Sequence, residues 1–279
     1  MSFLHIRVGE SLGGKSLNKD ILVAILEDDI FARNWMALLM VRDWRTRLVG
    51  EFTTQAEFCA FLQNANQPFD MLILDVDFFR EIITVDEICQ TLSDAEQVAK
   101  ILLTGVRPDP KIIKQMTGER VCGYVLKNEV GYSLSWIISF VFDGHWVLTP
   151  GTQKMAHQLN IRLPSNTLVL DGRTSISGFT DHEAEVARMA FIFSVGRRDL
   201  ADELQISEQW SYGLISELYK KMGLTDIISG EVDLFSYIGE SKIIRNKFIE
   251  IVDQMGTSKK ARDMETLAYH LLTMPEIIQ

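Results

Sequence analysis

The chain has 279 residues, which is enough for two domains of ordinary size. Hydrophobic residues make up 47% and charged residues 24%, a composition that excludes a wholly disordered chain and a collagen-like fibre. The formal charge of -10 excludes a global positive field, so any DNA binding has to come from a local patch.

The cysteines and histidines lack the spacing of known metal or disulfide motifs. Cys59, Cys89 and Cys122 form no CxxC pair, and the five histidines are equally scattered. The longest apolar run is far shorter than the roughly 20 residues of a membrane span, and the N-terminus lacks the apolar centre of a signal peptide. We therefore expect a soluble cytoplasmic protein without membrane contacts, whose residues 1–20 are flexible.

From residue 21 to 150, short apolar runs alternate with amphipathic segments, a pattern typical of a parallel sheet covered on both faces. The predicted strands are Ile21 to Leu26, Arg47 to Glu51, Met71 to Leu74, Ala99 to Leu103 and Gly123 to Leu126. The predicted helices are Phe31 to Trp44, Gln55 to Asn64, Val85 to Leu92, Pro110 to Thr117 and Leu134 to Phe142. The pattern predicts an α/β domain with a doubly wound (βα)5 fold, whose ligand site lies at the carboxyl ends of the strands.

The second half of the chain is predicted to be all-α. Prolines and glycines interrupt residues 151–178, which we interpret as a linker. Thr180 and Glu183 form a capping box that opens one helix, and Ser207 opens another. In residues 225–279, two apolar stripes at helical spacing predict extra C-terminal helices and no further strand. These stripes have to pack on the helical domain, on a second copy, or on another protein.

Polar side chains close four of the five predicted strands and should meet at one edge of the sheet. They are, in chain order, Glu27, Asp28, Asp29, Asp75, Thr104 and Lys127. Clustered carboxylates repel one another, and a hard ion such as Mg²⁺ relieves that repulsion. A lysine and a threonine hydroxyl are suited to bind phosphoryl oxygens. Together the side chains predict a site where an aspartate is phosphorylated.

The motifs that carry these residues are ILEDD, LILDVD, ILLTG and GYVLKN, and they resemble those of the receiver domain of two-component response regulators. The resemblance implies that a sensor histidine kinase phosphorylates Asp75, and that Glu27 and Asp28 bind Mg²⁺ together with Asp75. It further implies that Thr104 is a switch hydroxyl, that Tyr124 turns inward with it, and that Lys127 pairs with the phosphate.

One part of the receiver-like region departs from the pattern of the family. The loop VDFFREIITV, which follows the third strand, lacks the proline and glycine that usually occur there. Asp77 in this loop adds a carboxylate beside the site. Phosphorylation of Asp75 would add charge and bias a two-state surface that the fourth and fifth crossovers form.

Residues 179–224 resemble the helix-turn-helix output domain of NarL/LuxR-type regulators. Residues that match include Thr180, Glu183, Leu200, Ala201, Leu204, Ile206, Ser207 and Gly223, and there is one extra residue near Phe193 to Gly196. The resemblance implies that the second helix of the motif, about Ser207 to Met222, enters the major groove of promoter DNA. The candidate DNA contacts are Arg197, Arg198, Gln209, Tyr212, Ser216, Lys220 and Lys221.

The output region is poor in positive charge, with five basic against eight acidic side chains in residues 179–224. Phosphate neutralisation supplies most non-specific DNA affinity, so binding should be weak per protomer or need a homodimer. The leading hypothesis is a phosphorylated, DNA-binding transcriptional regulator. The alternative is a regulator whose helix-turn-helix and helical tail bind a protein partner. An enzyme is not expected, because the chain lacks a nucleophile with a base and a nucleotide-binding loop.

Overall fold

The computed structural model describes residues 20–64, 68–77, 84–95, 97, 99–116, 120–173, 178–224, 238, 241–255 and 261–278. The chain divides into two compact units. The sheet unit lies within residues 20–174 together with residues 275–279, and the helical unit lies within residues 175–274. The predicted flexible segment at residues 1–20 lies outside the described residues, except for its last position.

Within the described residues, eight strands form one sheet in the order β2-β1-β3-β4-β5-β6-β7-β8. The strands are β1 Ile21–Leu26, β2 Thr46–Phe52, β3 Met71–Asp75, β4 Lys100–Gly105, β5 Val121–Leu126, β6 Trp146–Leu148, β7 Thr167–Asp171 and β8 Glu276–Ile278. β1 to β7 are parallel to their neighbours, and β8 is antiparallel to β7. The doubly wound α/β fold predicted from the first half of the chain is confirmed, with additional strands.

Seven helices belong to the described part of the sheet unit. They are α1 Ile30–Arg42, α2 Gln55–Asn64, α3 Val85–Asp94, α4 Pro110–Gln115, α5 Lys127–Val130, α6 Leu134–Phe142 and α7 Pro150–Gln158. Side chains that accept backbone N–H bonds cap at least four of them, namely Asp29 for α1, Thr54 for α2, Thr84 for α3 and Asp109 for α4. α1 packs against α6, and α4 packs against α3 and α7.

The core of the sheet unit is formed by strand residues that are buried on both faces of the sheet, as expected for parallel strands with helices on each side. Alternate residues of β1 illustrate this, because Ala24 and Leu26 pack in one cluster while Val23 and Ile25 are also fully buried. The five predicted strands and five predicted helices lie within a few residues of β1–β5 and of α1–α4 and α6.

The linker predicted for residues 151–178 is corrected by the structure as far as residue 173. Instead of connecting two domains, this segment contributes α7 and β7 to the sheet unit, with β6 directly before it. β6 has three residues and β7 has five, so their apolar runs resemble loop residues in the sequence. Gly123 permits the close approach of β5 to β6, since a Cβ atom there would lie 2.0 Å from the Val147 carbonyl oxygen.

The added segment is fastened to the end of β5 by two threonines. The Thr149 hydroxyl accepts a hydrogen bond from the Leu126 amide at 3.0 Å, and the Thr152 hydroxyl donates to the Tyr124 carbonyl at 2.8 Å. α7 also packs on α4. The surface predicted from the fourth and fifth crossovers is therefore partly covered by residues 146–158 of the same chain.

The helical unit contains the predicted helix-turn-helix. Its described helices are α8 Asp181–Ala187, α9 Arg197–Glu203, α10 Glu208–Lys221, α11 Lys242–Met255 and α12 Ala261–Leu272. The predicted capping box of Thr180 and Glu183 is present at the start of α8. A π turn, Arg188–Ile192, continues α8 and widens it, so the extra residue predicted near Phe193 to Gly196 is accommodated just before that position.

α11 and α12 follow the predicted apolar stripes. Ile244, Phe248 and Ile251 of α11 are buried, as are Leu267 and Ala268 of α12. α12 packs against the π turn and against α11. The apolar stripe of α12 thus packs on the helical domain of its own chain, which is the first of the three alternatives considered for the tail. β8 contradicts the prediction of an entirely helical tail, because residues 276–278 pair with β7 of the sheet unit.

Candidate functional site

The carboxyl ends of β1, β3, β4 and β5 bring the predicted polar side chains together. Asp75 is the last residue of β3 and pairs in register with Thr104 of β4. The Val76 amide donates a 2.8 Å hydrogen bond to the Thr104 carbonyl, which extends this pairing past the aspartate. Glu27 follows β1 directly, and Lys127 follows β5. Parallel strands end at the same edge of the sheet, which is why residues far apart in sequence meet here.

Three carboxylates form the acidic part of this site. One oxygen from each of Glu27, Asp28 and Asp75 lies within 4.8 Å of the others. Glu27 and Asp75 are buried, whereas Asp28 is exposed. An all-oxygen donor set with one member open to water suits Mg²⁺, which prefers carboxylates and retains several waters. These residues therefore fit the divalent ion that the sequence implies.

Lys127 lies between the two buried carboxylates. Its ammonium nitrogen is 2.6 Å from Glu27 Oε2 and 3.2 Å from Asp75 Oδ1. The lysine side chain is 20% exposed, while those of Glu27 and Asp75 are almost inaccessible. One positive charge thus faces two buried negative charges, so the site has an excess of negative charge.

The pKa values of this cluster reflect burial and pairing. Burial raises the pKa of Glu27 to about 7, although the hydrogen bond with Lys127 opposes the shift. Burial also raises the pKa of Asp75, against the attraction of the Lys127 charge. For Lys127, burial alone would lower the pKa, but its bond with Glu27 and the charge of Asp75 outweigh that and raise it. The carboxylates are thus partly desolvated, which a bound cation would offset.

Thr104 presents a hydroxyl group at the same edge. The residue is 2% exposed, and its hydroxyl oxygen has no hydrogen-bond partner within the described part of the chain. Buried hydroxyl groups are normally paired, because an unpaired one loses its bond to water without replacement. This hydroxyl is therefore a buried donor at the edge of the sheet that lacks a partner among the described residues.

Tyr124 is turned inward on β5. Its ring is fully buried, and its hydroxyl donates a 2.6 Å hydrogen bond to the Arg107 carbonyl. Burial raises the pKa of this hydroxyl above its ordinary value, so it remains protonated. The tyrosine thereby links β5 to the loop that follows β4.

Asp77 connects the loops after β3 and β4. Its amide donates to the Asp75 carboxylate, and its own carboxylate accepts a 3.2 Å hydrogen bond from the Val106 amide. The rest of the loop that departs from the family pattern, residues 78–83, lies outside the described residues, so the expectation about its shape stays a prediction.

Asp29 has a local structural role at the start of α1. Its Oδ1 accepts hydrogen bonds from the Phe31 and Ala32 amides and so caps α1. Its amide in turn donates to Glu27 Oε1. Asp29 thus orients the glutamate and begins the helix, while the other two acids face the site.

The predicted DNA-contacting residues occupy the outer face of the helix-turn-helix. Gln209, Tyr212, Ser216 and Lys220 are exposed on α10, at the i, i+3, i+4 spacing of one helix face, and Arg198 is exposed on α9. The geometry of a helix-turn-helix is present, with Ser207 capping α10 and Ser211 Oγ donating to the Arg197 carbonyl at 3.1 Å.

Two of the predicted basic residues have partners within the helical unit. Lys221 Nζ contacts Glu183 Oε1 of α8 at 2.5 Å. The Arg197 guanidinium lies 5.9 Å from the centre of the Tyr212 ring, within the range of a cation–π contact. Exposed Trp210 lies next to this face. The outer face of α10 therefore carries exposed aromatic side chains, and two of the basic residues near it already have partners.

Comparison with protein-family models and with curated proteins finds no match. Solved structures do match, and they are response regulators. RcsB from Salmonella typhimurium matches at 14% identity and a TM-score of 0.42, over 73% of this chain and 92% of that one. ChrA from a heme-sensing two-component system matches at 18% identity and a TM-score of 0.38, over 73% and 90%. At these levels of identity and TM-score, the roles of individual residues have to be inferred from the geometry of this chain.

A third match is RcsB from Salmonella enterica serovar Typhimurium bound to the promoter P1flhDC in the presence of a phosphomimetic. It has 14% identity and a TM-score of 0.44, and covers 73% of this chain and 92% of that one. Within the described residues of the present chain, no helix has the length and apolar character needed to cross a lipid bilayer.

Proposed function

We propose that this chain is the response regulator of a two-component system, phosphorylated on Asp75 by a sensor histidine kinase. The observation that carries the proposal is the arrangement of five side chains at one sheet edge. Asp75 lies beside the other two carboxylates, Lys127 lies 3.2 Å from its Oδ1, and the buried Thr104 hydroxyl has no partner among the described residues. Each residue has a separate task in accepting a phosphoryl group.

The proposed reaction transfers a phosphoryl group from a phosphohistidine of the kinase. A carboxylate oxygen of Asp75 forms a bond to phosphorus while the bond between phosphorus and the imidazole nitrogen breaks. The imidazole leaves with the electron pair of that bond. Lys127 and Thr104 hold phosphoryl oxygens and so stabilise the charge that spreads over them. Glu27, Asp28 and Asp75 would hold Mg²⁺, which would supply further neutralisation of negative charge at this site.

Substitution of the phosphoacceptor tests this proposal. The Asp75→Asn variant should not be labelled by acetyl phosphate in the presence of Mg²⁺, because an amide oxygen is a poor nucleophile. Labelling is measured on intact protein by mass spectrometry. The matched control is Asp77→Asn, which removes a carboxylate two residues away and should still be labelled. Retained labelling of Asp75→Asn combined with loss in Asp77→Asn would move the phosphorylation site to Asp77.

We further propose that the helical unit binds promoter DNA as a homodimer and that phosphorylation changes this binding. Support comes from α9 and α10 in helix-turn-helix arrangement, with Gln209, Ser216 and Lys220 exposed on α10. Because the unit has little positive charge, one protomer should bind weakly and two should be needed. The test is a selection of genomic fragments at low and at raised salt. A DNA reader retains selected fragments at raised salt.

The outer face of α10 favours a second candidate, in which this unit binds a protein partner instead of DNA. Trp210 and Tyr212 are 68% and 55% exposed, and Lys221 already pairs with Glu183. Exposed aromatic side chains are enriched in protein interfaces. Replacing Trp210 by Ala separates the candidates. A loss of partner binding with no selected DNA fragment supports the second, whereas sequence-selective DNA retention excludes it.

A further inference from the structure

The short helix α5 is joined to the end of β7 by direct contact between their backbones. The Gly172 amide donates a hydrogen bond to the Glu129 carbonyl. A Cβ atom at Gly131, directly after α5, would lie 2.3 Å from the Gly172 carbonyl oxygen. Arg173 Nη1 adds an ion pair, 3.7 Å from Glu129 Oε1. We call this set of contacts the α5–β7 latch.

The latch holds the place where the chain leaves the sheet unit. β7 ends at Asp171, and the helical unit lies within residues 175–274. Gly172 and Arg173 therefore belong to the last residues of the sheet unit before the helical unit begins. Any movement of α5 that breaks the latch frees the chain at this point.

A cavity of about 250 Å³ separates α5 from α1. Ala32 and Trp35 line it from α1, and Val130 and Gly131 line it from α5 and the residue after it. In the order of the sheet, β1 and β7 lie on opposite sides of β5, from which α5 continues. α5 thus has empty space toward α1 and close backbone contact toward β7. Movement into the empty space gains packing contacts instead of losing them.

The acidic site can pull α5 in the direction of this cavity. Lys127, the first residue of α5, already contacts Glu27 and Asp75. Asp75 belongs to β3, which lies two places from β5 on the side of β1. A phosphoryl group on Asp75 would add negative charge and so attract the ammonium group more strongly than the carboxylate alone. That attraction is directed away from β7.

We propose that phosphorylation of Asp75 opens the α5–β7 latch. Lys127 draws α5 toward α1, the cavity closes, and the hydrogen bond from Gly172 to Glu129 breaks. This inference rests on the proposed function, because it requires a phosphoryl group on Asp75. The coupling is reciprocal, so the closed latch disfavours a phosphoryl mimic by the same factor by which the mimic opens the latch.

Hydrogen exchange on the full chain tests the latch, with beryllofluoride as the phosphoryl mimic. Exchange of the Gly172 amide is compared in Mg²⁺ alone and in Mg²⁺ with beryllofluoride. We expect it to become about fivefold faster with beryllofluoride, the lower end of typical allosteric couplings. The amides of β1 provide the internal control and should not become faster. Fluorine NMR separately reports whether beryllofluoride is bound, and Asp75→Asn should remove that bound signal.

Cavity-filling variants test whether α5 moves toward α1. Ala32→Phe fills the cavity, so it should still bind beryllofluoride but should show no faster exchange at Gly172. Ala32→Leu fills it partly and should reduce the response in the same direction. Asn34→Phe is the matched control, since Asn34 is an exposed position on α1 that does not line the cavity, and it should respond like the wild type. Circular dichroism confirms that each variant is folded.

The outcomes separate the latch from the proposed function. Bound beryllofluoride without faster exchange at Gly172 in the wild type overturns the latch and leaves the phosphorylation site intact. Faster exchange that persists in the folded, beryllofluoride-bound Ala32→Phe variant also overturns it, because α5 then does not move into the cavity. Absence of bound beryllofluoride in the wild type contradicts the proposed function, and the latch fails with it.

Discussion

Lys127 determines the charge balance of the acidic edge, which is the carboxyl edge of the sheet where Glu27, Asp28 and Asp75 lie. Its single ammonium group contacts two carboxylates that are almost inaccessible to solvent. Water cannot easily compensate either carboxylate if the lysine is removed, and an uncompensated buried charge is far more costly than an exposed one. The lysine therefore stabilises the fold through these two contacts alone.

Replacing Lys127 by Gln should lower the free energy of unfolding by about 2 kcal/mol in the absence of divalent ions, because Glu27 and Asp75 lose their cation. Urea denaturation followed by circular dichroism measures the change. Adding Glu27→Gln to this variant should recover at least half of the loss, since one of the two buried charges is then removed. A double variant no more stable than Lys127→Gln would contradict this account.

Glu183 makes the helical unit sensitive to acid. Its bond with Lys221, together with those from Thr180, lowers its pKa from the ordinary value of 4.5 to about 2. A lowered pKa in the folded state contributes stability above the unfolded value, and this contribution is lost as the pH falls from about 4.5 toward 2. The stability advantage of wild-type protein over Glu183→Gln should shrink across that range.

Urea denaturation at several pH values measures this advantage. Glu185→Gln, an exposed position on the same helix, is the control and should show no such trend. The carboxyl resonance of Glu183 in NMR provides a second measurement, because Lys221→Met should move its titration midpoint upward. An unchanged midpoint would show that the pair does not form in solution.

The residues of the acidic edge could be predicted from sequence because the geometry of parallel strands leaves little choice. A polar residue directly after an apolar strand has to lie at the carboxyl edge. Partner choice among nearby side chains is different. The pairing of Lys221 with Glu183 depends on rotamers and on helix packing, which no spacing in the sequence encodes.

At the scale of elements, β7 is joined to α5 by an unusually close crossing of two backbones. A Cβ atom at Gly172 would lie 1.8 Å from the Val130 carbonyl oxygen. Gly172 also donates its amide to the Glu129 carbonyl at 2.8 Å. The Glu129 carboxylate accepts from the Gly151 amide at 2.9 Å and lies 3.7 Å from Arg173. α5, α7 and the end of β7 thus meet at one buried glutamate.

Gly172→Ala should lower the free energy of unfolding of the sheet unit by about 3 kcal/mol, because the clash is with backbone that cannot rotate away. Thermal unfolding followed by circular dichroism checks this. Gly213→Ala on α10 is the contrasting control, since a Cβ atom there meets nothing within 4 Å. That change should stabilise the helical unit by about 0.5 to 1 kcal/mol. Equal changes in the free energy of unfolding for Gly172→Ala and Gly213→Ala would contradict the close crossing of β7 and α5.

The helices that the sequence predicts well are those with an amphipathic or apolar run of nine residues or more. Gln55–Asn64 and Leu134–Phe142 have the predicted bounds. β6 and β8 have three residues each, and that length carries no period. Proline and glycine around β7 also favour a linker in the sequence, whereas tertiary pairing with β6 decides its structure. Short strands are therefore the part of this fold that sequence patterns do not reveal.

At the scale of the whole molecule, the sheet unit is completed by residues from beyond the helical unit. β8 pairs with β7, with Asp171 opposite Glu276 and Val169 opposite Ile278. A β-strand at the edge of a sheet leaves unpaired backbone groups, and β8 covers those of β7. The helical unit is thus an insertion between two paired strands.

Removing residues 275–279 should expose the edge of β7. We expect faster hydrogen exchange of backbone amides in residues 167–171 and a tendency of the shortened protein to associate through this edge. Exchange mass spectrometry and size-exclusion chromatography measure the two effects. The control replaces Glu276 by Gln, which keeps the strand. Unchanged exchange in the shortened protein would show that β8 contributes little protection.

The insertion of the helical unit between β7 and β8 has a consequence for the order of events during synthesis. β1 to β7 emerge from the ribosome first and can pair while residues 175–274 are still being made. β8 emerges about 100 residues later, and closing so long a loop costs entropy that only its final pairing repays. The nascent sheet unit therefore spends time with β7 uncovered, and during translation that edge is open to mispairing with a neighbouring chain.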